Sequence, residues 1–172
     1  MLRGVVLVEG TSDGLAVETL ARRRGRDLEA EGVAIVPMGG YGNLPRLLGQ
    51  YPDVRRAGLY DVGEERHFLR ALGCGDRSEL ERAGFYACTR DLEDELTRAV
   101  GPHGMERVLA EQGELRSFRT YQKQLAHRAS PLEEQLHGFM WNRKQRYAEL
   151  LVDALELDRI PRPLDRVLAH VY

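Results

Sequence analysis

The chain has 172 residues, 42% of them hydrophobic and 30% charged. That is long enough for one domain of ordinary size with a substantial core, and the composition is that of a globular protein. A formal net charge of −2 gives no bulk basicity to suggest nucleic acid, and no apolar run approaches membrane-spanning length.

In chain order, Val5–Val8 reads as a short buried strand, because four consecutive aliphatic residues leave no polar face. It runs directly into Glu9-Gly10-Thr11-Ser12-Asp13. Gly10 permits a tight exit turn, and Thr11 or Ser12 is expected to cap a helix from Asp13 to about Arg24. Glu9 and Asp13 then lie close together at a sheet edge, a setting for a hard divalent cation such as magnesium. A second strand, Val33–Pro37, leads into the glycine-rich run Pro37–Asn43. That run is either a structural turn or a phosphate cradle; the Walker pattern Gly-x-x-x-x-Gly-Lys-Ser/Thr is absent. A helix is expected over Asn43–Gln50.

The third strand, Ala57–Tyr60, again ends in acid, Asp61-Val62-Gly63-Glu64-Glu65. Two acidic strand ends separated by about one βαβ unit converge if the strands are parallel. The bland alternative is that Asp13 and Asp61 only cap helices. After a helix over Glu64–Leu72 comes a fourth strand, Gly84–Cys88. Helices are then expected over Leu92–Val100, Gly104–Gln112, Leu132–Met140, Tyr147–Leu155 and Pro163–His170. Alternating strands and helices imply an α/β fold with a mostly parallel four-stranded sheet. Leu151, Val152 and Leu155 recur at helical spacing, so the last region is expected to pack on the sheet.

The last third changes sign. Arg116, Arg119, Lys123, Arg128, Arg143, Lys144 and Arg146 face only Glu133 and Glu134 between Leu115 and Tyr147, with Phe118, Tyr121, Trp141 and Tyr147 interleaved. Cations with aromatics suit a phosphate backbone and unstacked bases, whereas a solvated helix face is the ordinary explanation of a charge run. Arg116, Arg119, Lys123, Arg143 and Arg146 are the candidate nucleic-acid contacts. Among five histidines without metal-ligand spacing, His127 and His137 lie in this stretch. Cys74 and Cys88 also lack such spacing, and free thiols in a reducing cytoplasm are the simplest reading.

Val8-Glu9-Gly10-Thr11-Ser12-Asp13, Asp61, Leu92-Glu93 and the segment Arg143–Ala148, taken in this order, resemble the Toprim domain of OLD (overcoming lysogenization defect) family nucleases. Gly63 departs from the pattern: it stands where Toprim domains carry a second aspartate, and Glu64 or Glu65 is the available substitute. The resemblance implies a Toprim, Rossmann-like fold over residues 1–172, with a core of about 1–100 and a helical C-terminal extension of about 101–172. It implies a magnesium- or manganese-dependent DNA endonuclease or nickase, one or two ions being held by Glu9, Asp13, Asp61 and Glu93. Glu9, Asp61 and Lys144 are its catalytic candidates, Lys144 as the cation stabilising charge on the scissile phosphate, with Arg143 and Arg146 as competing matches. The substrate is DNA or RNA. No Walker lysine occurs, so the chain is expected either to stand alone or to work with an ATPase on a separate chain. The alternative implied by Gly63 is a nucleic-acid-binding or scaffold protein that kept the fold and lost catalysis.

Overall fold

The computed structural model describes residues Met1–Tyr172. Its sheet has four strands, β1 (Gly4–Val8), β2 (Val33–Pro37), β3 (Arg55–Asp61) and β4 (Phe85–Cys88), in the order β2-β1-β3-β4 with every pairing parallel. The chain leaves β1 toward β2 on one side and returns to β3 on the other. The connections therefore diverge between β1 and β3, and a crevice opens beyond the carboxyl ends of those two strands, where open α/β sheets bind ligands. Glu9 follows β1 and Asp61 closes β3, so both lie at this switch point.

The β1–β2 crossover contains α1 (Thr11–Arg23) and the single turn α2 (Leu28–Glu31). Between β2 and β3 runs α3 (Leu44–Gln50), and between β3 and β4 run α4 (Glu65–Leu72) and α5 (Arg77–Arg82). Period-two alternation sorts the strand residues onto two faces. Val5, Leu7, Tyr60 and Phe85 pack with Leu44, Leu47, Phe68 and Leu80 on the α3–α4–α5 side. Val6, Val8, Ala57, Leu59, Tyr86 and Cys88 face a larger core on the other side.

Five helices complete that larger core. They are α6 (Leu92–Glu111), α7 (Leu115–Lys123), α8 (Leu132–Met140), α9 (Lys144–Ala154) and α10 (Arg162–His170). Gly101 breaks the helical path of α6 at φ 75°, ψ 167°, and Pro102 follows. The sequence is therefore right to divide this stretch in two, since proline cannot donate within a helix and glycine takes the left-handed φ at no steric cost. α9 lies along α1, and α10 packs on β3 and β4. Leu151, Val152, Leu155, Leu164, Val167 and Leu168 join the same core as Val6 and Leu59. The helical third is thus a layer of the sheet domain in packing terms, as the aliphatic spacing of Leu151, Val152 and Leu155 predicts.

Three helices are absent from the sequence reading: α2, α5 and α7. The first two are short helices of four and six residues started by side-chain caps, Asp27 accepting from Ala30 N–H and Asp76 from Glu79 N–H. α7 has no side-chain cap and buries only Phe118, so its helical signal is masked by charge. α9 begins at Lys144, one turn before the expected Tyr147.

Candidate active site

α1 is capped by Gly10, which is extended at φ −143°, ψ −176°. Glycine offers no side chain, so neither Thr11 nor Ser12 nor Gly10 caps the helix through an oxygen. Asp13 Oδ2 accepts the Gly10 N–H at 3.0 Å instead, reaching back from the first turn. This frees Ser12, whose Oγ donates to Glu93 Oε1 at 2.8 Å. Asp13 thus does cap the helix start by a bond of its own, whereas Asp61 makes no capping bond, so the cap explanation fails for Asp61 alone.

The loop after β2 closes against the same edge. Met38 N–H and Gly39 N–H donate to the carbonyls of Val8 and Glu9, and Asn43 Nδ2 donates to the Met38 carbonyl at 2.9 Å. Gly39 and Gly40 have φ of 66° and 114°, which a side chain would strain. The run Pro37–Asn43 is therefore an ordered turn fastened beside Glu9.

The electrostatics record how the acids gather. Asp13 is buried, and its carboxyl is pushed up to about 7, first by loss of solvent and then by Glu93 and Glu9. Asp61 is pushed up to about 8, by burial and by the charges of Glu9, Glu64, Asp91 and Asp13. Glu64 is raised as well, by burial and then by Glu9. Glu9, Asp13 and Asp61 lie near enough at the carboxyl edge to act on one another's charge, but they do not close on a common point. Glu64 belongs to this group, whereas Glu65 turns away, accepting from Tyr60 Oη at 3.1 Å and Arg77 Nε at 2.5 Å. Of the two acids after Gly63, Glu64 feels the charge of Glu9, while Glu65 is engaged by Tyr60 and Arg77.

Opposing these acids is one ammonium. Lys144, the first residue of α9, donates from Nζ to Glu93 Oε2 at 3.2 Å and stands 3.6 Å from Asp91 Oδ2. Burial alone lowers a lysine pKa, but Glu93 and Asp91 more than offset it and raise that of Lys144. Asp91 was not singled out in the sequence, yet it is the N-cap of α6. Its Oδ1 accepts from Asp94 N–H at 2.8 Å, and its Oδ2 lies 2.8 Å from His137 Nε2. Burial raises the Asp91 pKa, but the bond to His137, the Asp94 N–H and the Lys144 charge together bring it below the usual carboxylate value. The signal was available: Asp91 comes just after β4, as Glu9 comes just after β1 and Asp61 closes β3.

Glu9, Asp13, Asp61, Glu93 and Lys144 therefore share the edge. The five expected nucleic-acid contacts do not gather there as a set. Arg143 Nε donates to Glu114 Oε2 at 2.6 Å, Arg146 clasps the other Glu114 oxygen, and Arg143 lies 3.8 Å over the Phe139 ring. Arg119 pairs with Glu106 at 2.5 Å. Arg116 and Lys123 are exposed on α7. Lys144, not Arg143 or Arg146, is the cation that faces the acids. Phe118 and Tyr147 are buried and Tyr121 stacks on His127, so of the four interleaved aromatics only Trp141 is exposed.

Chains of known structure share this fold. The C-terminal region of the Burkholderia pseudomallei OLD protein matches with a TM-score of 0.73 and 18% identity, over 99% of this chain and 97% of that one. The C-terminal region of the Xanthomonas campestris pv. campestris OLD protein matches with a TM-score of 0.74 and 24% identity, over 99% and 92%. Residues 2–51 match the family model described as overcoming lysogenization defect protein-like, TOPRIM domain. The chain has an OLD-type Toprim fold. Within the Toprim fold, the stretch matched by the family model carries Glu9 and Asp13, while Asp61, Glu93 and Lys144 lie beyond it. No curated protein matches the chain. No helix of this Toprim fold is long and apolar enough to cross a membrane.

The donor set is chemically suited to magnesium or manganese, being all carboxylate oxygen. In this conformation no three His, Cys, Asp or Glu side chains stand close enough to enclose an ion. Burial and mutual repulsion raise Asp13 and Asp61, and a divalent cation beside them would relieve that repulsion.

Proposed function

We propose that the chain is a metal-dependent nucleic-acid phosphodiesterase, a DNA endonuclease or nickase of OLD type, using Mg²⁺ or Mn²⁺. The observation that carries this reading is the meeting of strand-end carboxylates with a single ammonium at the β1/β3 switch point. Glu9, Asp13, Asp61 and Glu93 would hold one or two ions, with Glu64 beside Gly63 as a further donor. A bound ion supplies Lewis-acid polarisation of the phosphodiester. The chain's own residues do the rest. Ser12 fixes one Glu93 oxygen. Asp91, itself held by the Asp94 N–H and His137, orients the Lys144 ammonium. Lys144 stabilises the extra negative charge of the phosphorane-like transition state through an electrostatic arrangement set before the reaction begins.

Cleavage of nicked, linear and single-stranded DNA, and of RNA, under a Mg²⁺ or Mn²⁺ titration tests this. Glu9→Ala should abolish cleavage. Lys144→Ala should slow it by orders of magnitude while affinity falls little, because one phosphate contact among several is a small share of binding. A separate ATPase chain is the partner proposed for the working enzyme.

The second reading is a scaffold that binds nucleic acid without cutting. Gly63 and the absence of a closed three-acid cage favour it. It predicts no cleavage with either metal on any substrate, while Lys144→Ala only weakens binding and lowers its salt dependence by about one ion.

A further inference from the structure

Trp141 is the only tryptophan of the chain, and it is 61% exposed. Large aromatics dominate core and interface energetics, and the neighbouring ones obey that rule: Phe118 and Tyr147 are inside. Trp141 stands outside on an ordered turn between α8 and α9. Its backbone N–H donates to the Gly138 carbonyl at 3.3 Å, and the Arg143 backbone N–H donates to the Met140 carbonyl at 2.8 Å. Its ring centroid lies 4.7 Å from Lys144 Nζ and 6.2 Å from the His137 ring. That ammonium also touches Glu93. The exposed ring is thus one side chain away from the acid cluster, with a fixed cation between them.

We propose that Trp141 is a stacking platform for an unpaired nucleobase whose neighbouring phosphate lies at Lys144. The ligand class is single-stranded or locally melted nucleic acid. In a duplex each base is covered on both faces by its neighbours, so the ring gains nothing from it. An unpaired base has a free π-face, and stacking on an aromatic tolerates any sequence. Lys144 on the same turn supplies the phosphate contact that places a base within reach. The inference rests on the proposed function only in taking the ligand to be nucleic acid.

The single tryptophan makes the test direct. The full chain is titrated with oligothymidylate, with an abasic oligomer of equal length and with a blunt duplex, Ca²⁺ replacing Mg²⁺. Tryptophan emission reports stacking, and anisotropy of end-labelled strands reports binding. Oligothymidylate should quench the emission, while the abasic strand and the duplex should not. Trp141→Ala should weaken single-strand affinity about five- to hundredfold and leave duplex affinity unchanged. Trp141→Phe should retain most of it and guards against a folding defect in the alanine variant. Binding without quenching, or equal quenching by abasic strand and duplex, overturns the platform and leaves the nuclease reading standing. Emission that changes with protein concentration alone also overturns it, and assigns Trp141 to contact between copies. If no oligonucleotide binds, the platform and the nuclease reading fall together. Quenching as expected without cleavage in Mg²⁺ or Mn²⁺ supports the platform and sinks the nuclease.

Discussion

Replacing Asp13 by asparagine removes one negative charge from a buried site with almost no change of shape. The amide oxygen of the new side chain can still accept the Gly10 N–H now held at 3.0 Å. Folding raises the Asp13 carboxyl to about 7, against an ordinary aspartate value near 3.9. At 1.36 kcal/mol per pH unit the whole displacement corresponds to about 4 kcal/mol. Glu93 and Glu9 supply part of it, and Glu9 is exposed to solvent that screens its charge, so the expected gain for the variant is about 2–3 kcal/mol. The sign follows from proton counting. Between about pH 4 and pH 7 the folded chain binds a proton at Asp13 that the unfolded chain has lost, so wild-type stability falls as pH rises through this window. Below it both forms are neutral and the variant gains nothing. Urea denaturation in EDTA at pH 4, 6 and 8 should show Asp13→Asn equal to wild type at the lowest pH and clearly more stable at the highest. Mg²⁺ at pH 8 should close the gap by stabilising only the wild type. An advantage over wild type that is no larger at pH 8 than at pH 4 would refute the argument that Asp13 bears uncompensated charge.

Gly63→Asp tests the missing acid: a Cβ there meets nothing within 4 Å and its φ is not left-handed, so the side chain fits. It should raise Mn²⁺ affinity by calorimetry, and no gain would mean that Glu64 already fills the position. Glu114→Ala frees Arg143 and Arg146 from their shared carboxylate. Stability should fall by about 1–2 kcal/mol, seen as a melting temperature lower by a few degrees. Nucleic-acid affinity at low salt should rise, with a steeper salt dependence.

The strands were legible because each is a run of aliphatic or aromatic residues whose two faces are both buried, as in Val5–Val8. Their parallel pairing followed from the helices between them. The acids at strand ends were legible for the same reason: a buried strand ending in Glu9 or Asp61 has an abrupt change of polarity that composition cannot hide. Lys144 was harder, since Arg143 and Arg146 are chemically similar neighbours and only helical phase separates them. The start of α9 at Lys144 turns its side chain toward Glu93, while Arg143 and Arg146 turn toward Glu114. Asp91 is a helix cap through Oδ1; the second role belongs to Oδ2, which sequence spacing does not distinguish. The basic stretch read as one surface because sequence shows charge but not partners such as Glu106 and Glu114.

The packing of α9 along α1 has a mechanical consequence. Asp13 rides on α1 and Lys144 on α9, and Ala16, Val17 and Leu20 share one apolar cluster with Leu151 and Val152. Arg23 Nη1 also donates to the Val152 carbonyl at 2.5 Å, fastening the two helices. The separation between acid and ammonium is therefore gauged by an interior seam and not by a loop. Interiors are close-packed and deform little, so a methylene added or removed at Val17 or Val152 shifts both charged groups relative to each other without touching either. Substitutions buried in that seam belong among the determinants of the edge's chemistry.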